Sequence, residues 1–296
     1  MERTFASLAG KAKLLTTAAS ASLQSSHSEG FADGIEVLYD SPSADIDICF
    51  VHGLTGNRRT TWTARGDTAP WPQRLLPAKF TTARILTYGY DAYIVRGAVA
   101  SRNGLSDHAR NLLNDLTSAR DKNPSRPIIF VAHSLGGLVC KESILLSRFS
   151  PEPHLRPLFE STKAIAFMGT PHEGSWMVDW AKTPAKALGI IKSSNCSLLE
   201  VLQTNNKLLE SLQDRFSDMI RYLREDGRKL EITCFYEELP LFGIGTVVSK
   251  RSATFSGYNL KSIHANHRDM VRFETGEDTG FQRLVSELER WARDVK

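Results

Sequence analysis

The sequence lacks the features that mark several large classes of protein. No stretch of about 18 consecutive apolar residues occurs, so no membrane-spanning helix is expected. Cysteine is scarce, with four residues in 296, and no Cys-x-x-Cys or Cys/His spacing indicates a zinc site. The net charge is only +4 and the basic residues are scattered, which argues against nucleic-acid binding. We therefore expect no metal or other cofactor, no nucleic-acid partner and no integral membrane span.

The N-terminal 33 residues differ in composition from the rest of the chain. They are rich in Ala, Ser and Thr, and Phe5, Leu8 and Leu15 fall at helical spacing. We expect residues 1–33 to form an extension, either a weakly amphipathic helix or a disordered leader, that can bind a protein partner. Three of the four cysteines lie in predicted strands or a core helix, which suits the reducing cytoplasm. Mitochondria are the alternative location, because a mitochondrial presequence has a similar composition.

Residues 34–296 have the pattern of a single α/β domain, because apolar runs typical of strands alternate with stretches of helical periodicity. The predicted strands are Glu36–Tyr39, Ile46–Val51, Arg84–Tyr88, Ile128–Val131, Ala164–Met168 and Leu230–Tyr236. The predicted helices lie around Trp71–Leu76, Ser106–Arg120, Gly137–Ser147, Asn205–Leu223 and Gly280–Val295. The alternation predicts a mostly parallel central sheet flanked by helices, with ligands beyond the carboxyl ends of the strands.

The most informative segment joins the fourth predicted strand to the helix that follows it. Ser134 lies between them, in the segment Ala132-His133-Ser134-Leu135-Gly136. This is the layout of a nucleophile elbow, in which a tight strand-to-helix turn raises a serine hydroxyl above the sheet. Ala132 stands where the usual Gly-x-Ser-x-Gly pattern has its first glycine. Ser134 is therefore the candidate nucleophile.

A serine nucleophile needs a base that takes its proton and an acid that orients the base. On this kind of fold they follow in the order serine, acid, histidine. The last predicted strand ends at Glu237 and Glu238, and His264 and His267 come further downstream. Position alone leaves both glutamates and both histidines open.

Two backbone N–H groups are also needed to stabilise the negative charge that develops on the substrate oxygen. One is the amide of Leu135, which directly follows Ser134. The other is expected from the loop after the second predicted strand, where Gly53 and Gly56 let the backbone turn inward. The Leu54 amide is the natural donor of that loop.

Several ordered blocks together resemble the α/β-hydrolase group of SERAC-type and GPI inositol-deacylase-like lipases. They also resemble the SesB-like hydrolase domains of fungal NLR-type proteins. The similarity runs from about residue 46 to residue 275. The blocks are Val51–Gly56, Arg84–Ala92, Ala132–Gly137, Met168–Gly174, Phe235–Glu237, and His267 with Met270 and Phe273.

The resemblance implies a metal-free serine esterase of the α/β-hydrolase fold. After the sixth strand, around Trp176, we expect a small cap or lid, with an amphipathic helix packed in the core as the alternative. The resemblance selects Glu237 as the acid, because this residue follows the aromatic end of the strand. It selects His267 as the base, because Met270 and Phe273 lie at matching offsets. We then expect Ser134 Oγ to lie within roughly 2.6–3.5 Å of His267 Nε2.

The expected substrate is a carboxylic ester of lipid type, cleaved through an acyl-enzyme. We place around it the residues of the expected cap and of the loops beside the serine. These substrate-binding candidates are His52, Gly53, His133, His172 and Trp176.

Two other functions remain open. Similarity to receptor-attached domains suggests a signalling or interaction module of an immune-receptor type with weak or conditional activity. A thioesterase or acyltransferase that acts on a carrier-bound acyl group would use the same three side chains. No Walker-type phosphate-binding motif occurs, so a nucleotide switch would have to come from elsewhere.

Overall fold

The computed structural model describes residues 33–54, 56–90, 104–172, 206–243 and 245–294. Seven strands form one sheet in the order β1-β3-β2-β4-β5-β6-β7. The strands are β1 Gly34–Asp40, β2 Ile46–Val51, β3 Ala83–Gly89, β4 Ile128–His133, β5 Thr162–Met168, β6 Glu231–Glu237 and β7 Asn259–Ile263. Only the edge strand β1 is antiparallel to its neighbour; the other pairs are parallel. The predicted α/β-hydrolase fold class is confirmed.

Helices cover both faces of this sheet. They are α1 Trp71–Leu75, α2 Leu105–Ala119, α3 Gly136–Arg148, α4 Pro157–Ser161, α5 Asn206–Glu225 and α6 Thr279–Asp294. Alternate residues of the central strand β2 point to opposite faces. Cys49 and Val51 join the core under α2, α3 and α5, whereas Ile48 and Phe50 join the core under α1 and α6. Burial on both faces explains why β2 reads as a continuous apolar run.

The order in which the chain connects the strands indicates which edge of the sheet carries the functional site. Strand β2 lies between β3 and β4, so the chain leaves β2 toward one side and later returns to its other side as β4. Ligands of open α/β sheets bind at such a switch point, beyond the carboxyl ends of the strands. The loops after β2 and β4 therefore face each other at this edge.

The six predicted strands and five predicted helices are present within two residues of the expected bounds. Strand β7 was not predicted, because its sequence Asn-Leu-Lys-Ser-Ile mixes charge with apolar residues and it is largely half-buried at the sheet edge. The expected cap around Trp176 follows β5, the fifth strand of the chain rather than the sixth, and it lies outside the described residues. The N-terminal extension lies outside them as well, except for Asp33.

Within the described ranges, no helix is long and apolar enough to cross a membrane. The same ranges hold no group of three or more His, Cys, Asp or Glu side chains that could bind a metal ion.

A buried ionic cluster holds the opposite edge of the sheet together. The Asp47 side chain is fully buried near the start of β2. Its carboxylate accepts hydrogen bonds from Arg84 at 2.8 and 3.1 Å, from Arg120 at 2.9 Å and from Arg126 at 3.1 Å. One carboxylate thus neutralises part of three guanidinium charges that lie on β3, at the end of α2 and before β4.

Replacing Asp47 with Asn should destabilise the fold strongly, because three buried or half-buried arginines would lose their counter-charge. We expect the free energy of unfolding to fall by about 3–5 kcal/mol. The matched control is Asp67→Asn, which breaks the partly exposed Asp67–Arg74 pair and should cost at most about 1 kcal/mol. Urea denaturation measures both, and equal losses in the two variants would contradict this account.

Candidate active site

Ser134 has a strained backbone at the junction of β4 and α3. Its φ of 52° is the only positive value among non-glycine residues in the described part of the chain. This left-handed conformation is costly for a residue with a side chain and is found mainly where function requires it. The Ser134 N–H donates to Met168 O at 2.9 Å, and its carbonyl accepts from Gly137 N at 3.1 Å. The turn is therefore fixed on both sides, as expected of a nucleophile elbow.

The loop after β2 passes directly over the serine. A Cβ on Gly53 would lie 2.6 Å from Ser134 Cβ and 3.3 Å from Ser134 Oγ. A Cβ on Gly136 would collide with the carbonyl oxygens of Val51 and His52. These close approaches explain why both positions are glycine.

The structure places the two predicted oxyanion donors on the segments that meet here. Leu54 follows Gly53 in the loop after β2, and Leu135 directly precedes α3. Neither amide donates a hydrogen bond to a backbone carbonyl in the described ranges. Two unused N–H groups beside a serine are what an oxyanion hole requires.

His52 supports this loop from within the core. Its ring is fully buried, donates from Nδ1 to Gly53 O at 2.8 Å and accepts at Nε2 from Tyr90 N at 3.3 Å. The Tyr90 ring stacks on it at 4.5 Å, and the Tyr90 hydroxyl donates to His52 O at 2.9 Å. Burial lowers the pKa of His52 to about 4, so the ring is neutral at pH 7. Both ring nitrogens are thus used inside the protein, where His52 supports the loop at Gly53, and its expected role in substrate binding stays a prediction.

Glu237 and His267 form a buried pair at the same edge. Glu237 ends β6 and is 4 % exposed, and His267 lies in the loop after β7 and is 8 % exposed. The distance between Glu237 Oε2 and His267 Nδ1 is 2.5 Å. The other carboxylate oxygen, Oε1, accepts from Val247 N at 2.5 Å. Both oxygens are thus occupied, and this fixes the orientation of the imidazole.

His267 keeps its second nitrogen available. Its Nε2 atom is buried and has no hydrogen-bond partner within the described residues. No hydrogen bond from Ser134 Oγ reaches this atom within the described residues, and the expected distance between the two atoms stays a prediction. Hydrogen bonds between catalytic groups are often long or misaligned before substrate binds. The His267 ring packs against Gly169, which follows β5 with a φ of 60° and would bring a Cβ within 3.0 Å of Nδ1.

His133 links the end of β4, next to the elbow, to the loop that carries His267. Its Nε2 donates to the carbonyl oxygen of His267 at 2.9 Å, and the two rings lie 4.9 Å apart. Burial, with a smaller contribution from His267, places the pKa of His133 well below its usual range. This neutral ring joins β4 to the His267 backbone, and the expected substrate contact of His133 stays a prediction.

The alternative pair suggested by the sequence is also formed, but at the surface. His264 Nδ1 lies 2.7 Å from Glu238 Oε2, and their side chains are 76 % and 33 % exposed. Such a pair is solvated and mobile, and it does not exclude water from a reaction. The two pairs therefore differ in burial, although they are neighbours in sequence. The Glu237–His267 pair is enclosed, and the Glu238–His264 pair is exposed.

His172 was expected at the pocket rim, but its ring is enclosed. It is 6 % exposed, with Nδ1 2.7 Å from Lys141 Nζ and Nε2 3.6 Å from Cys234 Sγ. Burial places the pKa of His172 well below its usual range. Both nitrogens thus contact groups of the core, and the expected substrate contact of His172 stays a prediction. Trp176 lies outside the described residues.

Lys141 is the unexpected partner of His172. It is fully buried in α3, and its Nζ also lies 2.6 Å from Gln213 Oε1. Three aromatic rings surround the ammonium at 5.1–5.3 Å from their centroids: Phe167, Phe216 and Phe255. Sequence reasoning missed Lys141, because a lysine on a helix is ordinarily solvated. The one sequence feature that indicated its burial was its position among the apolar residues of the helix after the elbow.

The fold, the elbow serine and its surroundings define the chain as an α/β hydrolase of the serine esterase class. A sequence profile of the family described as "Putative serine esterase (DUF676)" matches residues 47–214, more than half of the chain. The chain belongs to this family. The matched segment includes Ser134, Leu54 and Leu135 and ends before Glu237 and His267.

Known proteins agree with this membership. Protein SERAC1 from Mus musculus is 26 % identical over 298 aligned residues, and its Homo sapiens counterpart is 24 % identical. The alignments cover 90 % of this chain but 43 % of either relative, so the chain spans less than half their length. Among solved structures, Bacillus licheniformis lipase BlEst2 is similar, with 17 % identity, 86 % of this chain and 95 % of that chain covered, and a TM-score of 0.47. The similarity to SERAC-type proteins that the motifs indicated is thus confirmed.

Buried Lys141 should make stability depend on pH. Burial lowers the pKa of Lys141 from 10.5 to about 7, so the unfolded chain binds more protons than the folded chain between these values. Stability therefore rises with pH in this window and is lowest below it. We expect Lys141→Met to be more stable relative to wild type at about pH 6 than at about pH 9 in urea denaturation. Lys122→Met, at an exposed lysine, is the control. A difference from wild type that is independent of pH would contradict the expectation.

Proposed function

We propose that this chain hydrolyses lipid-like carboxylic esters through Ser134, His267 and Glu237. The observation that supports it most is the buried Glu237–His267 contact of 2.5 Å at the edge that holds the strained Ser134. A carboxylate on Nδ1 keeps that nitrogen protonated and leaves Nε2 as the basic lone pair. His267 Nε2, which lacks another partner, is the base in this proposal.

The reaction proceeds in two halves. His267 Nε2 takes the proton of Ser134 Oγ while Oγ attacks the ester carbonyl, and Glu237 stabilises the imidazolium that forms. The Leu54 and Leu135 amides bind the oxyanion of the tetrahedral intermediate. The imidazolium then protonates the departing alcohol, which leaves the acyl group on Ser134. Water, deprotonated by the same nitrogen, attacks this acyl-enzyme and restores the serine.

The preference for an uncharged, lipid-like substrate rests on the resemblance and on the surroundings of the serine. Gly53, Leu54 and Leu135 carry no charge, and the nearby His52 and His133 are neutral because burial lowers their pKa values. None of these residues offers an opposite charge to a charged substrate. The partner-binding role of residues 1–33 and the cytoplasmic or mitochondrial location remain predictions.

Two neighbouring glutamates provide a matched test of this mechanism. Glu237→Gln removes the charge that holds His267 and should lower kcat on a soluble aryl ester by about 10⁴-fold, as for buried triad carboxylates in serine proteases. Glu238→Gln alters only surface contacts, with His264 and Arg283, and should change kcat by about twofold or less. The rate of ester hydrolysis by Ser134→Ala, which lacks the proposed nucleophile, serves as the background. Equal effects of the two glutamate variants, or undiminished turnover by Ser134→Ala, would contradict the proposal.

A further inference from the structure

The segment between Glu237 and Val247 forms a hairpin that projects an apolar tip from the active-site edge. Leu241 N donates to Gly245 O at 2.8 Å, and Gly245 N donates to Leu241 O at 3.0 Å, which closes the turn. Phe242 at the tip is fully exposed, and Leu239 at the base is 38 % exposed. The sequence from Leu239 to Val248 contains no charged residue. Phe242 and Leu239 thus share one uncharged segment exposed to solvent, and exposed apolar surface of this kind is a candidate interaction surface.

The hairpin is tied to the candidate acid at both ends. It begins directly after Glu237, and it ends at Val247, whose N–H donates to Glu237 Oε1 at 2.5 Å. At the base, Glu238 N and Leu239 N donate to the carbonyls of Ile263 and Ala265, in the segment that leads to His267. The tip therefore stands at the carboxyl edge of the sheet, where a substrate must approach Ser134.

We propose that this hairpin inserts Phe242 into the surface of an anionic lipid layer and so presents the serine site to ester lipids. The reciprocal Leu241–Gly245 bonds pair the backbone at the neck of the turn, and Pro240 has no N–H to satisfy. Fewer backbone groups are then left unpaired when the tip enters an apolar phase. Insertion to the depth of one aromatic side chain is typical of binding at a lipid interface.

Charge on the flank of the hairpin favours an anionic surface over a neutral one. Lys250 follows the hairpin and is exposed, with its Nζ 4.9 Å from the centroid of the Tyr236 ring. Arg251 is adjacent and exposed. The acidic residue at the base, Glu238, has its own basic neighbour in Arg283, with Nη1 4.0 Å from Oε1, and also contacts His264 at 2.7 Å. Basic side chains beside an apolar anchor provide the second attraction that one aromatic residue needs for stable attachment.

This inference deepens the proposed ester hydrolysis and rests on it for the substrate, but lipid binding can be measured without turnover. The test is vesicle flotation with the full chain, using phosphatidylcholine vesicles with or without phosphatidylglycerol. We expect the full chain to float with the anionic vesicles and less with the neutral ones. Phe242→Ser should lower partitioning about tenfold, because one buried aromatic side chain is lost. Ser134→Ala should float as wild type, which separates binding from the proposed chemistry.

Phe149→Ser is the matched control. Phe149 is also exposed, at 66 %, but it follows α3, which runs back from the carboxyl end of β4 to the opposite edge of the sheet. We expect this variant to float as wild type. A second readout is the ratio of hydrolysis of a vesicle-borne ester to hydrolysis of a soluble ester, which should fall in Phe242→Ser alone.

Three results would overturn the proposal. The wild-type chain could fail to float with either vesicle. Phe242→Ser and Phe149→Ser could lose binding equally. Phe242→Ser could change the oligomeric state in sedimentation without changing flotation, which would assign the hairpin to a second copy of the chain.

Discussion

The left-handed backbone at Ser134 is the constraint on which the rest of the active-site edge depends. A side chain at a φ of 52° is unfavourable and needs its surroundings to hold it. The hydrogen bond to Met168 O and the close approach of Gly53 and Gly136 supply that support. The same crowding brings the Leu54 loop beside the serine. The candidate nucleophile and both candidate oxyanion donors thus lie close together around one strained residue.

The second requirement is a carboxylate–imidazole pair shielded from water, and burial decides which residues provide it. Glu237 and Glu238 are adjacent in sequence, but strand alternation points Glu237 inward and leaves Glu238 at the surface. A hydrogen bond between ionisable groups is stronger where water is excluded. Only the Glu237–His267 contact is enclosed, and the neutral His133 ring fixes the His267 backbone beneath it. The exposed Glu238–His264 pair instead braces the base of the apolar hairpin.

Much of the fold could be predicted from the sequence, because strands buried on both faces are long apolar runs. The elbow could also be predicted, because the residues two positions before and after Ser134, Ala132 and Gly136, are small, as a tight turn requires. Strand β7 was not readable, because at the sheet edge it needs no apolar pattern. The order of the strands also came only from the structure, since periodicity does not say which strands pair.

The site was less predictable than the fold. The sequence order of acid and base narrowed the choice, but the preference for Glu237 and His267 came from family resemblance. His52, His133 and His172 were placed near a substrate because they flank the motifs, whereas each ring is turned into the protein. Lys141 was missed, because nothing in a helical sequence shows that aromatic rings from β5, α5 and a later loop enclose it.

The most direct test of the central claim is a crystal structure of the chain after reaction with a fluorophosphonate ester, which mimics the tetrahedral intermediate. The account predicts phosphorus bonded to Ser134 Oγ and the phosphoryl oxygen about 2.7–3.1 Å from the Leu54 and Leu135 nitrogens. His267 Nε2 should approach the serine oxygen while Nδ1 stays on Glu237. A phosphonyl group on another residue, or a phosphoryl oxygen that points away from both amides, would contradict it.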